Sequence, residues 1–213
     1  MNQETVMQAS YGKTIGVIGA GAIGTAFATA LARHGIQAVV ANSRGPETLR
    51  DAVKAIGPSI RPGTRDEAAA QDIVLVAVNW SKLPQALAGL PDFGGRIVID
   101  ANNPIEAPLF RPADLHGRSS SEVFADLVPG ARVVKAFNHL QPALVAGDPQ
   151  AVGGRRVMFL SGDDANAKAE VARLIDRLGF FGIDLGSLDV GGRQHQFPGG
   201  PLAALNLVRI GLP

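Results

Sequence analysis

The first residues whose types and spacing could do chemistry are Gly19-Ala20-Gly21-Ala22-Ile23-Gly24, which follow the run Thr14-Ile15-Gly16-Val17-Ile18 without a break. A strand that turns through G-x-G-x-x-G into a helix offers unpaired backbone N–H groups and the positive end of a helix dipole to an anion. Gly19 permits the tight turn, Gly21 leaves the backbone uncovered for a phosphate, and Gly24 lets helix and strand approach closely. The pattern points to the pyrophosphate of a dinucleotide if a strand precedes it, a helix follows and a second strand arrives on cue. Without that context it is no more than a glycine-rich turn.

A second group, Asn42-Ser43-Arg44, stands where that cue should fall. In an NAD site an Asp or Glu about 20 residues beyond the glycines bonds the ribose 2′-hydroxyl. Here the position falls near Asn42 and the acid is missing. A carboxylate would repel a 2′-phosphate, whereas the Ser43 hydroxyl, free N–H groups and the Arg44 guanidinium would bind one through charge-assisted hydrogen bonds. The register therefore favours NADP(H), although Asn-Ser-Arg-Gly-Pro is also an ordinary composition for a polar turn.

A third group comprises candidate proton donors. His139 follows the predicted fifth strand, Lys135 lies within it, and His195 sits in a glycine-rich stretch near the end of the chain. Reduction of a carbonyl or imine calls for such a donor, whereas hydride transfer between two stacked rings does not. Each also has a structural reading: a solvent-bonded loop residue for His139, a paired cation for Lys135. His34 falls at the end of a predicted helix, where an imidazolium complements the dipole, and His116 lies in a polar loop. Asp163-Asp164 precedes a predicted helix and reads as capping rather than metal binding. There is no H-E-x-x-H, G-x-S-x-G or P-loop motif.

These groups need elements to position them. Short β-branched runs alternate with helical stretches, which predicts an α/β fold of the Rossmann type: a doubly wound, mostly parallel sheet. Strands are expected at 14–18, 37–41, 72–78, 96–100, 132–136, 157–161 and 181–185. Helices are expected at 22–34 (closed by Gly35), 47–56, 68–71, from beyond the third strand through Leu90, at 122–128 and at 165–178. Residues 1–12 read as a loose N-terminal extension without a signal-peptide core, and 13–213 as a single domain whose segment 186–213 closes the cleft. That segment is too short for a second full domain, so the second substrate is expected on the same sheet edge, covered by the segment or by a second subunit of a homodimer.

Composition bounds the partners. The chain has 213 residues, 46% of them hydrophobic, which is enough for a sizeable core. A net charge of +1 without a basic run argues against nucleic acid, and the absence of cysteine excludes disulfides and thiolate chemistry. No window approaches the about 18 apolar residues of a spanning helix, so a cytoplasmic protein with a small-molecule electron acceptor is expected.

In combination, the glycine turn, Asn42-Ser43-Arg44, Val76-Ala77-Val78-Asn79-Trp80, Val98 to Pro104, Arg132 to Asn138, Ser161 to Asp164 and Gly199-Gly200-Pro201-Leu202 resemble the deazaflavin-dependent NADP oxidoreductases. The cytosolic reductase domain of six-transmembrane ferric reductases is similar. The resemblance spans roughly 13–205 and implies hydride exchange between NADPH and a deazaflavin or flavin coenzyme. It implies that Gly19, Ala20, Gly21, Ala22, Ile23 and Gly24 hold the pyrophosphate, and that Asn42, Ser43 and Arg44 form the 2′-phosphate turn. Ala77, Val78 and Asn79 would line the ribose and nicotinamide, with Asn102, Pro104, Ala136, Phe137 and Asn138 at the pocket edge. Ala20 and Thr48 depart from the family by replacing a hydroxyl and a basic residue near the phosphate. Trp80 would either shield the nicotinamide or cap the core. Two other readings stay open: a reductase of a small imine or carbonyl using His139 or His195, and a non-catalytic NADP(H)-sensing module.

Overall fold

Four-residue runs such as Ile-Val-Leu-Val are apolar on both faces of a strand, which demands a sheet covered on both sides. The computed structural model, which describes residues 11–106, 111–150 and 153–211, builds that sheet. Strands β1 (Ile15–Ile18), β2 (Ala38–Ala41), β3 (Ile60–Pro62), β4 (Ile73–Val76), β5 (Ile97–Asp100) and β8 (Arg132–Ala136) lie in the order β3-β2-β1-β4-β5-β8, all parallel. The order reverses between β1 and β4, where open α/β sheets bind their ligands. Strands β9 (Gly154–Gly162) and β10 (Phe181–Asp184) extend the sheet in the opposite direction.

One face is covered by α1 (Ala22–Arg33), α2 (Arg50–Ile56), α6 (Pro142–Ala146) and α7 (Ala165–Arg177), whose Phe27, Val53, Val145 and Leu174 join one core. The other carries α3 (Arg65–Ala69), α4 (Leu83–Leu87) and α5 (Ser120–Ala125), with Ala68, Leu83 and Phe124 in a second core. Several helices start where side chains can satisfy their orphan N–H groups. Thr64 with Glu67, and Ser119 with Glu122, form capping boxes, and Asp164 accepts from Ala167 N at 2.6 Å. That is the use of the second acid of the Asp163-Asp164 pair. Asp163 accepts from Leu188 N.

Several elements differ from the sequence expectation. The helix expected at 47–56 opens as a 3-10 turn over Pro46–Leu49, and the one expected to reach Leu90 begins as a 3-10 turn at Trp80–Lys82 and ends at Leu87. The short helix expected at 68–71 is shifted to Arg65–Ala69, because the capping box fixes its start. Strand β3, helix α6 and the small hairpin of β6 (Ile105–Glu106) and β7 (Arg111–Pro112) are additions to the expected set. Most of the expected N-terminal extension lies outside the described residues.

The register of β9 carries it well beyond its neighbour. Ala136, the last residue of β8, pairs with Leu160, so the first six residues of β9 run past the carboxyl end of β8. Onto this overhang returns β11 (Val208–Ile210), which pairs antiparallel with Gly154–Arg156, while α8 (Val190–His195) packs on β9 near Ser161. Among the described residues, no helix is long and apolar enough to cross a membrane.

Candidate functional site

Because β1, β2, β4, β5 and β8 are parallel, the loops after them share one sheet edge, which brings the sequence-predicted residues together. At the first loop Gly19 has φ +110°, and a Cβ there would fall 2.1 Å from Ala77 O. A Cβ on Gly24 would fall 1.8 Å from Gly19 O, so helix and turn touch through backbone alone. Gly21 is different: it has an extended backbone, and a Cβ on it would meet nothing within 4 Å. It is the N-cap of α1 and gives the helix no side-chain cap, nor does the first turn hold an acid. The turn thus combines unblocked helix amides with an open approach, the donor set that fits a pyrophosphate.

The loop after β2 is built by Asn42. Its Oδ1 accepts from Arg44 N at 2.9 Å and its Nδ2 donates to Thr48 Oγ1 at 2.9 Å, while Thr48 Oγ1 donates to Gly45 O. Asn42 therefore shapes the turn, and Thr48 closes it from the 3-10 turn that comes next. Ser43 and Arg44 are left exposed. Ala20, in the glycine turn, is half-buried and offers no polar group.

After β4 the ladder continues one residue, Ala77 N donating to Ile18 O. Val78 N then leaves the sheet and donates to Asn102 Oδ1 at 2.9 Å, which fixes the exit toward the exposed Asn79. Trp80, one residue on, packs half-buried against the core beneath α3, α4 and α5.

Asn102 is in turn held by a buried ion pair. Asp100 and Lys135 face each other across β5 and β8, both fully buried, with Nζ to Oδ2 at 3.1 Å. Lys135 Nζ also donates to Asn102 O at 3.0 Å and Ser120 Oγ at 3.1 Å. Asp100 accepts from Asn102 N and Nδ2 through Oδ1, and from Ser121 Oγ through Oδ2. Lys135 is thus the paired cation. Asp100, Ser120 and Ser121 escape the sequence reading; a lysine inside an apolar strand, directly after a valine pair, is the available signal that a carboxylate must lie opposite.

Beyond β8 the chain turns at Phe137, a buried aromatic with φ +61° that packs edge-on to Phe27 at 4.8 Å. Asn138 and Asn103 then pair reciprocally, Asn103 Nδ2 to Asn138 O at 2.8 Å and Asn138 Nδ2 to Asn103 Oδ1 at 3.0 Å. Pro104, next to Asn103, is buried.

His139 and His195 are both buried. The His139 ring lies 4.7 Å from that of Phe159, close to the Val157 backbone but without a well-formed hydrogen bond; burial lowers its pKa to about 4. His195 Nε2 lies 3.0 Å from Ser161 Oγ. Burial first, then the Lys135 ammonium and His139, lower its pKa to about 2. Both imidazoles are neutral near pH 7, their ring centroids 6.2 Å apart.

A parallel sheet with this strand order and a glycine turn at its switch point defines a dinucleotide-binding α/β protein. Residues 14–104 match the family model described as NADP oxidoreductase, coenzyme F420-dependent. The chain is 45% identical to hypothetical protein SMa0349 from Sinorhizobium meliloti, over 92% of this chain and 95% of that one, with a TM-score of 0.87. It is 29% identical to a protein of Arthrobacter sp. FB24 described as a putative F420-dependent NADP-reductase, over 83% and 86% of the two chains, with a TM-score of 0.65. It is also 31% identical over 177 residues to Metalloreductase STEAP3 of Rattus norvegicus, a match that covers 82% of this chain. The chain spans about a third (34%) of that relative's length. The chain thus has the fold of the NADP-dependent oxidoreductases, and its residues 14–104 are similar to the coenzyme F420-dependent family among them.

Two outcomes are expected from the buried groups. Lys135→Met leaves Asp100 uncompensated and lowers stability to chemical denaturation by about 3–5 kcal/mol. For the histidines, the unfolded chain takes up both protons near pH 6.5 while the folded chain refuses them until about 4 or below. The unfolded state therefore binds more protons across pH 6.5 to 4. Stability falls as pH drops through that window, by up to about 1.4 kcal/mol per pH unit for each histidine. His139→Leu, measured by urea melts at several pH values, makes the loss visibly shallower.

Proposed function

We propose that the chain binds NADP(H) across the carboxyl ends of β1, β2 and β4 and passes a hydride between it and a flavin-like or deazaflavin acceptor beside the C-terminal segment. One observation carries this reading. Gly21 opens onto space free of protein, and the Asn42-shaped turn one strand away presents exposed Ser43 and Arg44 where an NAD site would carry an acid.

The amides of Gly21, Ala22, Ile23 and Gly24 hold the pyrophosphate, with Gly19 and Ala20 forming the turn. Ser43 and Arg44 hold the 2′-phosphate. Ala77, Val78 and Asn79 line the ribose and nicotinamide, and Asn102, Pro104, Ala136, Phe137 and Asn138 form the far edge of the pocket. A nicotinamide supplies the hydride, and the protein's part is to position it against a second ring and exclude water. The description of the matched family and that of the Arthrobacter relative support a deazaflavin as that ring. So does the state of the two histidines: an imine or carbonyl acceptor calls for a proton donor at the developing amine or alkoxide, and His139 and His195 are buried and neutral.

Gly21→Ala separates ligand from fold. Since the added methyl meets no protein atom, stability stays within about 0.5 kcal/mol, while NADPH affinity, titrated by its fluorescence, drops at least about tenfold. Arg44→Ala weakens NADPH by about tenfold or more and leaves NADH unchanged. Equal affinities for NADPH and NADH in the unmodified protein would refute the 2′-phosphate assignment.

A further inference from the structure

The C-terminal segment does not merely lie over the sheet; three consecutive residues of it are fastened to the carboxyl ends of β5 and β8 and to α5. His195 O accepts from Asn138 Nδ2 at 2.7 Å, Gln196 Oε1 accepts from Ser120 N at 2.8 Å, and Phe197 N donates to Asn103 Oδ1 at 3.0 Å. Asn103 and Asn138 are also bonded to each other, so two carboxamides tie together β5, β8 and the returning segment. The orientation of Asn138 is set by its two acceptors, Asn103 Oδ1 and His195 O, both of which need its NH₂ group. Its side-chain donors are therefore spent within the protein.

What these bonds hold in place is an aromatic residue that the fold leaves exposed. Phe197 is 42% exposed. Its backbone is clamped beside the loop after β5, among the residues assigned above to the nicotinamide edge. Burying a phenyl ring ordinarily stabilises a protein, and an exposed one on a rigid support presents a flat apolar surface to a flat ligand.

We infer that Phe197 contacts the ring of the electron acceptor and that Asn138, with Asn103, is the positioning residue that sets it there. The inference rests on the two-ring reading given above. It divides the sheet edge into two parts: the loops after β1, β2 and β4 serve NADP(H), the fastened segment serves the second substrate, and the loops after β5 and β8 lie where the two meet. Toward the acceptor, Asn138 then acts through Phe197, its side-chain donors being held by Asn103 and His195.

The test uses the full chain with NADPH and 5-deazariboflavin as the probe acceptor, comparing Phe197→Ala, Phe197→Tyr and Asn138→Asp. Asn138→Asp keeps the shape but replaces the donating NH₂ by an acceptor facing two other acceptors. Phe197→Ala is expected to raise the KM for deazariboflavin by about tenfold with the NADPH dissociation constant within about twofold, Asn138→Asp to raise that KM likewise, and Phe197→Tyr to restore it. In Asn138→Asp, hydrogen exchange at residues 190–198 should rise without any acceptor present. Unchanged exchange there, an unchanged KM in Phe197→Ala, or a parallel loss of NADPH binding in Phe197→Ala would each overturn the inference. Failure of the unmodified protein to bind NADPH would instead overturn the function proposed above, while the exchange measurement would still decide whether Asn138 holds the segment.

Discussion

An ammonium group inside a β-sheet is tolerable only if its charge is matched and all of its protons are accepted. Lys135 meets both conditions: its three donors find Asp100 Oδ2, Asn102 O and Ser120 Oγ. Asp100 is as fully used, accepting two bonds on each oxygen from Asn102, Ser121 and Lys135. A network satisfied to this degree in a low-dielectric interior is stiff, because any displacement strands a buried charge. Its stiffness is delivered to the sheet edge through Asn102, whose side-chain oxygen receives Val78 N. The exit of β4, the exit of β5 and the start of α5 are thereby fixed relative to one another.

A second polar set lies on the same face of the sheet, where Lys135 and its cross-strand partner Ser161 both point toward α8, and it is built differently. His139 and His195 keep ring nitrogens without well-formed partners, and Asn138 keeps an unpartnered oxygen. These groups are held by packing on Phe159 and by the tail, not by a closed hydrogen-bond network. Neutral imidazoles bear such burial at moderate cost, whereas charged ones would not. The contrast assigns rigidity to the half of the edge near β4 and β5, and a smaller margin to the half that the tail covers.

How much of this was legible in the sequence depends on where the determining interactions lie. The glycine turn, α1 and the parallel strands were readable because local facts dictate them: β-branched runs buried on both faces, helical spacing of Phe27, Ala30 and Leu31, a glycine beyond Arg33. The turn after β2 was readable in register but not in mechanism; that Asn42 is the buttress and Ser43 and Arg44 the presented residues depends on Thr48, six residues away. Strand β3 and the hairpin of β6 and β7 are too short to show a period, and each exists because a partner strand lies beside it. The pairing of Asp100 with Lys135, and of Asn103 with Asn138, joins residues 35 apart. Only the strand order brings them together, and no spacing within the chain encodes it.

The reversal at β9 explains how so short a segment returns to the sheet edge that carries the glycine turn. Had β9 continued parallel, its amino end would lie at the opposite edge of the sheet, far from the loops after β1, β4 and β5. Running antiparallel to β8, it begins beyond the carboxyl end of that strand and supplies a platform at the level of the site. Strand β11 pairs with the outer part of that platform and α8 packs on β9. The chain between them, from Gln196 to Leu207, is thus anchored at both ends, with further ties at Gln196 and Phe197. Anchoring a loop at close intervals reduces the entropy lost when a ligand orders it. The antiparallel turn in the sheet, more than the length of the tail, is what brings the returning segment to the edge that carries the glycine turn.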